Sequence, residues 1–248
     1  MKVDFCLPIR NESPVLEANM LKLLRYLEEL KAVYDWKIIG AVNGSSDDSA
    51  AILQKLKLQF PGKIDYLEIV AAGKGRALKA CWRQSTADIL AFMDADLAVS
   101  LTNTSQLIAP LIDGRADLVI GSRFVEGALA QRSWQRGLIS KSYALFSRVV
   151  LRHDKSDLQC GFKAISRETF NKIDPFLEDD LWFLDTELVV LSGLTGARIL
   201  EIPVSWQENR LGKNKSNIHI VKDSWSFILK ILIFRKRISK IRKYLGSV

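Results

Sequence analysis

The sequence predicts an α/β fold built on a doubly wound, mostly parallel sheet. Three observations carry this. Residues 3–9, 36–42 and 64–70 read as strands, and the short continuous apolar run 89–93 as a strand buried on both faces. Segments of helical spacing lie between them, at 15–33, about 49–59 and 77–85. Polar and glycine-bearing pieces follow the strand ends, the edge where such sheets bind ligands.

Each element has its own signal. Residues 15–33 place Leu16, Met20, Leu23, Leu24, Leu27 and Leu30 in line. Asn43-Gly44-Ser45-Ser46-Asp47-Asp48-Ser49 is a turn that caps the second helix. Pro61-Gly62 punctuates before the third strand, and 77–85 sets Leu78, Cys81 and Trp82 on one helical face. Residues 102–111 read as a helix, 117–120 as another buried strand, 138–151 as a helix and 186–193 as a helix.

A chain of 248 residues with 48% hydrophobic content holds one large domain, or one domain with an appendage. The three cysteines, Cys6, Cys81 and Cys160, are far apart and odd in number, which points to reduced thiols and a cytoplasmic setting. Met1-Lys2-Val3-Asp4 leads straight into a strand, without a signal-peptide pattern. Two histidines argue against a His-rich metal site. The net charge of +8 is uneven: residues 222–248 carry eight Lys/Arg against the single acid Asp223, so they hold +7 of it. The remainder is nearly neutral, and no nucleic-acid partner is expected.

The most informative stretch is 73–97. Gly73-Lys74-Gly75-Arg76 is a glycine turn with two cations, and the buried run 89–93 ends in Asp94-Ala95-Asp96. Two carboxylates this close repel unless a cation sits beside them. Hard oxygen ligands suit Mg²⁺ or Mn²⁺, which usually complete their shell with water and substrate phosphates. A metal on Asp96 and Asp94 holding a diphosphate is therefore one reading. A loop pair in which Asp96 caps the next turn is the other.

These residues also resemble a known family. G-K-G-R-A-L-K-A and A-D-I-L-A-F-M-D-A-D-L are similar to the family 2 inverting glycosyltransferases, above all the branch that makes polyprenyl-phosphate sugars. Further blocks follow in the same order. Pro8-Ile9-Arg10-Asn11-Glu12 resembles the P-x-x-N-E start, and Asn43-Gly44-Ser45-Ser46-Asp47 the D-N-G-S-x-D loop, with Val42 in place of its first aspartate. Gly121-Ser122-Arg123-Phe124, then Asp157-Leu158-Gln159-Cys160-Gly161-Phe162-Lys163, then Trp182-Phe183-Leu184-Asp185-Thr186-Glu187-Leu188 continue the series, and Glu201-Ile202-Pro203-Val204-Ser205-Trp206 resembles the family's E-I-P-V-x-W strand, which implies a strand at 201–206. Arg210-Leu211-Gly212-Lys213-Asn214-Lys215-Ser216 is a partial match to a last loop.

The resemblance implies a GT-A-like, mixed, mostly parallel sheet with flanking helices over 1–220. It implies transfer of a hexose from UDP- or GDP-hexose to a polyprenyl phosphate at the inner membrane face, with Mg²⁺ or Mn²⁺. Pro8, Arg10, Glu12, Asn43, Lys74, Arg76, Asp94 and Asp185 would bind the nucleotide sugar. Asp94, Asp96, Arg123, Arg136, Asp157 and Gln159 would serve catalysis, with Arg136, and Arg132 second, facing the acceptor phosphate. Gly161 would let the backbone approach the sugar. Asp185 has a second reading as helix N-cap, and Arg123 as a bridge between loops. A hydroxyl acceptor, with Asp157 or Asp185 as base, and an idle membrane-binding homologue remain alternatives.

Residues 221–248 differ in character. Ile231, Phe234, Ile238, Ile241 and Leu245 follow helical spacing among many cations, and the longest apolar run is far below the ~20 residues that span a bilayer. A basic amphipathic helix on an anionic membrane is expected, against the alternative of a helix packed on the body.

Overall fold

The computed structural model describes residues 1–131, 134–207 and 220–245, without the side chains of 131, 134–136, 138, 139, 220–225 and 245. The strands are β1 (Lys2–Ile9), β2 (Asp35–Asn43), β3 (Ile64–Ile69), β4 (Ile89–Met93), β5 (Leu118–Ser122), β6 (Leu129–Gln131), β7 (Phe162–Ser166), β8 (Ile199–Pro203) and β9 (Ser205–Gln207). The helices are α1 (Ser13–Glu29), α2 (Ser49–Gln59), α3 (Lys74–Gln84), α4 (Thr104–Ile112), α5 (Trp134–Leu151), α6 (Arg167–Ile173), α7 (Leu184–Leu194) and α8 (Ile220–Leu245).

Seven strands form one sheet in the order β3-β2-β1-β4-β7-β5-β8, and β6 with β9 forms a small parallel ribbon. Among the described strands of this sheet, β7 alone runs against its neighbours. The expected mixed, mostly parallel sheet is therefore present. β1 lies between β2 and β4, so successive strands leave it in opposite directions. That crevice is where doubly wound sheets take ligands.

Strand alternation divides the core into two layers. Val3, Phe5, Leu7 and Ile9 meet α1, α2 and α4 on one side, through Leu16, Met20, Leu53 and Ile108. Cys6, Leu90, Phe92 and Ile165 meet α3, α6, α7 and α8 on the other, through Trp82, Phe170, Leu188 and Phe234. The period-2 alternation of strand side chains produces this split.

Several expected boundaries move. The helix expected over 15–33 stops at Glu29, and Lys31 takes a left-handed φ of 45°. α3 starts at Lys74, so the glycine turn is its first turn. The strand expected at 201–206 is two, divided at Val204: β8 pairs with β5, and β9 with β6. β7 was not expected as a strand. The tail stripe is also placed differently. Ile231, Phe234, Ile238 and Ile241 are almost fully buried in the second layer, so this stripe faces the body and not a bilayer.

Candidate functional site

Asp94 and Asp96 leave the carboxyl end of β4, both half-buried. Antiparallel β7 brings its amino end to the same edge, with Met93 paired to Phe162. The Asp94 N–H donates to Gly161 O at 3.1 Å, and the Leu97 N–H donates back to Asp94 O at 3.0 Å. This turn forces Leu97 to a φ of 48°, a region that side chains other than glycine seldom occupy. Asp96 Oδ1 accepts from the Ala98 N–H at 3.2 Å, so the capping contact is present.

Beneath Asp94 runs a chain of alternating charges. Lys74 Nζ is 3.1 Å from Asp94 Oδ1 and 3.1 Å from Asp185 Oδ2. Lys163 Nζ donates to Asp185 Oδ1 at 2.5 Å and to Cys160 O at 2.6 Å. Lys163 is fully buried, and both lysines lie over the face of the Phe92 ring, 4.8 and 5.2 Å from its centroid. Burial alone would raise the Asp185 carboxyl, but Lys163 and Lys74 hold it below its ordinary value. Burial alone would lower the Lys74 ammonium, but Asp185 and Asp94 hold it above its ordinary value. Asp185 is not a helix cap: α7 begins at Leu184, its N-cap is Phe183, and no side chain caps it.

The first turn of α3 is tied to the segment before α7. The N–H groups of Gly75 and Arg76 donate to Leu181 O and Asp180 O at 3.0 and 2.9 Å. Both glycines are needed, because a Cβ would lie 2.3 Å from Asp180 O at Gly73 and 2.6 Å from Asp179 O at Gly75. The Arg76 guanidinium is turned to Asp180 Oδ2, with Nη2 at 2.6 Å.

The loops after β1 and β2 are stitched together. Asn43 donates to Ile9 O at 2.9 Å and accepts from the Gly73 N–H at 2.9 Å, which ties β1, β2 and the glycine turn. Asn11, at a φ of 55°, accepts from the Ser46 N–H. Asp47 accepts from the Ser13 and Ser49 N–H groups. Pro8 and Glu12 are half-buried and Arg10 is exposed at the same edge.

Arg123 and Asp157 form a two-pronged pair, Nε to Oδ2 at 2.6 Å and Nη2 to Oδ1 at 2.8 Å. The bridging reading of Arg123 is thus present, and both oxygens of Asp157 are engaged. Gln159 Nε2 donates to Thr186 Oγ1 at 2.8 Å and to the Tyr143 hydroxyl at 3.3 Å. Lys163, Tyr143, Thr186 and Asp180 were not singled out in the sequence. A lysine inside the apolar run F-K-A-I was the available signal for Lys163. Arg132 and Arg210 lie outside the described residues. Arg136 lies in the first turns of α5, with its side chain outside them.

Among the described residues, no group of three or more His, Cys, Asp and Glu is gathered as a metal cage. Asp94 and Asp96 offer hard oxygens at an accessible strand end, which fits a cation that takes its other ligands from water and phosphate.

Comparison with known proteins places this geometry. Glycosyltransferase AglD of Haloferax volcanii is 31% identical over 90% of this chain, which spans only 35% of that protein. A dolichyl-phosphate β-glucosyltransferase, ALG5C of Trichomonas vaginalis, is 27% identical over 86% of the chain and 66% of its own length. Polyprenol monophosphomannose synthase of Mycolicibacterium smegmatis is 30% identical over 70% of the chain and 67% of its own length. The fold is shared with glucosyl-3-phosphoglycerate synthase of Mycobacterium tuberculosis, solved with Mn²⁺, UDP and phosphoglyceric acid. That match has a TM-score of 0.69 at 19% identity and covers 94% of this chain and 78% of that one. The profile of "Glycosyl transferase family 2" matches residues 4–174, more than half of the sequence. The chain belongs to glycosyl transferase family 2.

Proposed function

We propose that the chain transfers a hexose, with inversion, from a nucleoside-diphosphate hexose to a polyprenyl phosphate. The carrying observation is the Lys74–Asp94 contact beside Asp96 at the end of β4. It supplies a fixed cation and two carboxylates where a diphosphate would lie. A divalent cation held by Asp96 and Asp94 would neutralise charge on the departing nucleoside diphosphate. Lys74 stays charged there, since Asp185 and Asp94 hold it above its ordinary value, and Lys163 fixes the Asp185 carboxylate from below. Pro8, Arg10 and Glu12 line the same edge and would meet the nucleoside.

The state of the carboxylates favours a phosphate acceptor over a hydroxyl. A hydroxyl needs a general base within reach. Asp157 and Asp185 are each ion-paired through both oxygens and held below their ordinary values, which makes them poor bases. A phosphate is already a nucleophile and needs alignment by cations. Arg136 is the residue proposed for that task.

The same proposal sets the protein on the inner face of an anionic membrane. No described helix is long and apolar enough to cross a bilayer. α8 presents Leu229, Leu232 and Ile233 on its exposed side, continued by Lys236, Lys240 and Lys243 at helical spacing. That side is suited to lie on lipid headgroups.

The test is transfer from labelled UDP- and GDP-hexoses to polyprenyl phosphate with MnCl₂. Activity is expected to vanish with EDTA and in Asp96→Ala. Arg136→Ala should lose roughly 10- to 100-fold in transfer, the value of a charge-assisted contact, with donor binding little changed. Full activity of Asp96→Ala in EDTA overturns the metal assignment. Loss of turnover with a flattened pH dependence in Asp157→Asn or Asp185→Asn protein that is still folded, together with a silent Arg136→Ala, overturns the phosphate acceptor.

A further inference from the structure

The first turn of a helix leaves its N–H groups without partners inside the helix. In α3 two of them are satisfied by the carbonyls of Asp180 and Leu181 rather than by a cap side chain. The turn holding those carbonyls is itself pinned from several sides. Glu187 Oε2 accepts from the Glu178 and Asp179 N–H groups at 2.9 and 2.8 Å. Asp179 Oδ1 accepts from the Leu181 and Phe183 N–H groups at 2.8 and 3.1 Å. Lys79, on α3, donates to the carbonyls of Leu177 and Glu178.

The remaining anchors come from the tail. Arg237 Nη1 lies 2.8 Å from Glu187 Oε1 and 2.8 Å from Glu178 Oε2, and its Nη2 donates to Phe176 O. Lys230 pairs with Asp179 Oδ2. The Phe183 ring meets Phe227 and Phe234 of α8, with centroids 6.2 and 5.7 Å apart. Glu187 is 1% exposed, so Arg237 is the cation that compensates a buried carboxylate. A continuous set of contacts thus runs from α8 through Glu187 and Asp179 to the 178–183 turn. From there it reaches the first turn of α3, where Lys74 meets Asp94.

We propose that α8 is a positioning arm of the donor site: Arg237 and Lys230 hold the turn whose carbonyls set Lys74 against Asp94. This rests on the reading of Lys74 and Asp94 as the donor-diphosphate end of the site. Neither Arg237 nor Lys230 touches substrate in it. Each acts through the backbone, by restricting where the Asp180 and Leu181 carbonyls stand.

The test uses the full chain with Arg237→Met and, as a milder change, Lys230→Met at the less buried of the two cations. Amide hydrogen exchange is followed at Gly75 and Arg76, with the amides of α2 in the other layer as internal reference. Binding of UDP and of GDP with MnCl₂ is measured by calorimetry. Exchange at Gly75 and Arg76 should accelerate while α2 keeps its protection. Nucleotide affinity should fall by about 5- to 150-fold, the usual span of coupling between sites. Unchanged exchange at Gly75 and Arg76, or acceleration equal to that of α2, overturns the proposal. So does accelerated exchange with affinity within about twofold of the parent, well below that span. If the parent binds neither nucleotide, the donor-site reading fails on its own, and exchange still decides whether α8 holds the turn.

Discussion

Gly161 stands so close to Asp94 that a Cβ on it would lie 2.0 Å from Asp94 Oδ2 and 2.3 Å from Cγ. The glycine therefore serves the carboxylate: the Gly161 carbonyl accepts from the Asp94 N–H, and the missing side chain leaves room for the Asp94 side chain. Its expected use, backbone approach to a sugar, is not what this contact requires.

Gly161→Ala should accordingly move Asp94 off Lys74. Overpacking of this kind costs roughly 1–3 kcal/mol of stability. The expected result is a modest fall in melting temperature and a loss of Mn²⁺-dependent nucleotide binding of on the order of tenfold or more, one charge-assisted contact. Calorimetry with MnCl₂ and UDP or GDP, beside a thermal melt, checks this. An alanine variant that binds like the parent would show that Asp94 tolerates displacement.

Arg123 and Asp157 join the end of β5 to the segment before β7, and both side chains are nearly buried. Removing one partner of such a pair typically costs about 3–5 kcal/mol, because a charge is left alone in the interior. Asp157→Asn and Arg123→Met should each lower the melting temperature markedly. The pH dependence has a definite sign. Burial would raise the Asp157 carboxyl, but the Arg123 charge and hydrogen bonds hold it below its ordinary value. The pair's contribution is then fully present above about pH 3.9, the unfolded value, and is lost as pH falls through the lower folded value. Acid titration of stability should show a weaker loss in Asp157→Asn than in the parent. Equal acid sensitivity of the two would mean that this pair does not titrate with unfolding.

How far such features were legible depends on the distance over which they act. Local patterns were readable: the apolar run 89–93 matches β4 residue for residue, and the helix through Gln59 ends as its spacing predicts. β7 escaped because F-K-A-I-S carries a lysine, and its burial depends on Asp185, 22 residues away. The ion pairs of Asp185 likewise join residues that only the closed sheet brings together, so a cap and a sugar contact were the local readings. The motif D-x-D was legible as a candidate site, but not that Lys74 and Gly161 would fix one of its members. The tail spacing showed an amphipathic helix and could not say which side was buried. That side is decided by contacts such as those of Tyr143 and Phe183 with Phe227 and Phe234, far away in sequence.

The two sides of α8 separate packing from the proposed membrane contact. Ile231, Phe234, Ile238 and Ile241 are committed to the body. The opposite side carries Leu229, Leu232 and Ile233 at 59%, 46% and 55% exposure, then Lys236, Lys240 and Lys243. Apolar insertion and headgroup attraction would thus act along one stripe, with each lysine near an anionic surface contributing about 1 kcal/mol. Deleting 222–248 would confound the question, because it uncovers Phe183 and Leu188 in the second layer. Point variants keep the packing. Leu232→Glu with Ile233→Glu should weaken sedimentation with phosphatidylserine vesicles while leaving the melting temperature near that of the parent. Lys236→Ala, Lys240→Ala and Lys243→Ala together should weaken it at low salt and flatten its salt dependence, since screening acts on exposed charge. Ile238→Glu should instead destabilise the fold, because it buries a carboxylate among Phe234 and its neighbours. If the Leu232 and Ile233 variant and the lysine variant both sediment like the parent, α8 belongs to the body alone and the proposed membrane contact of this helix is wrong.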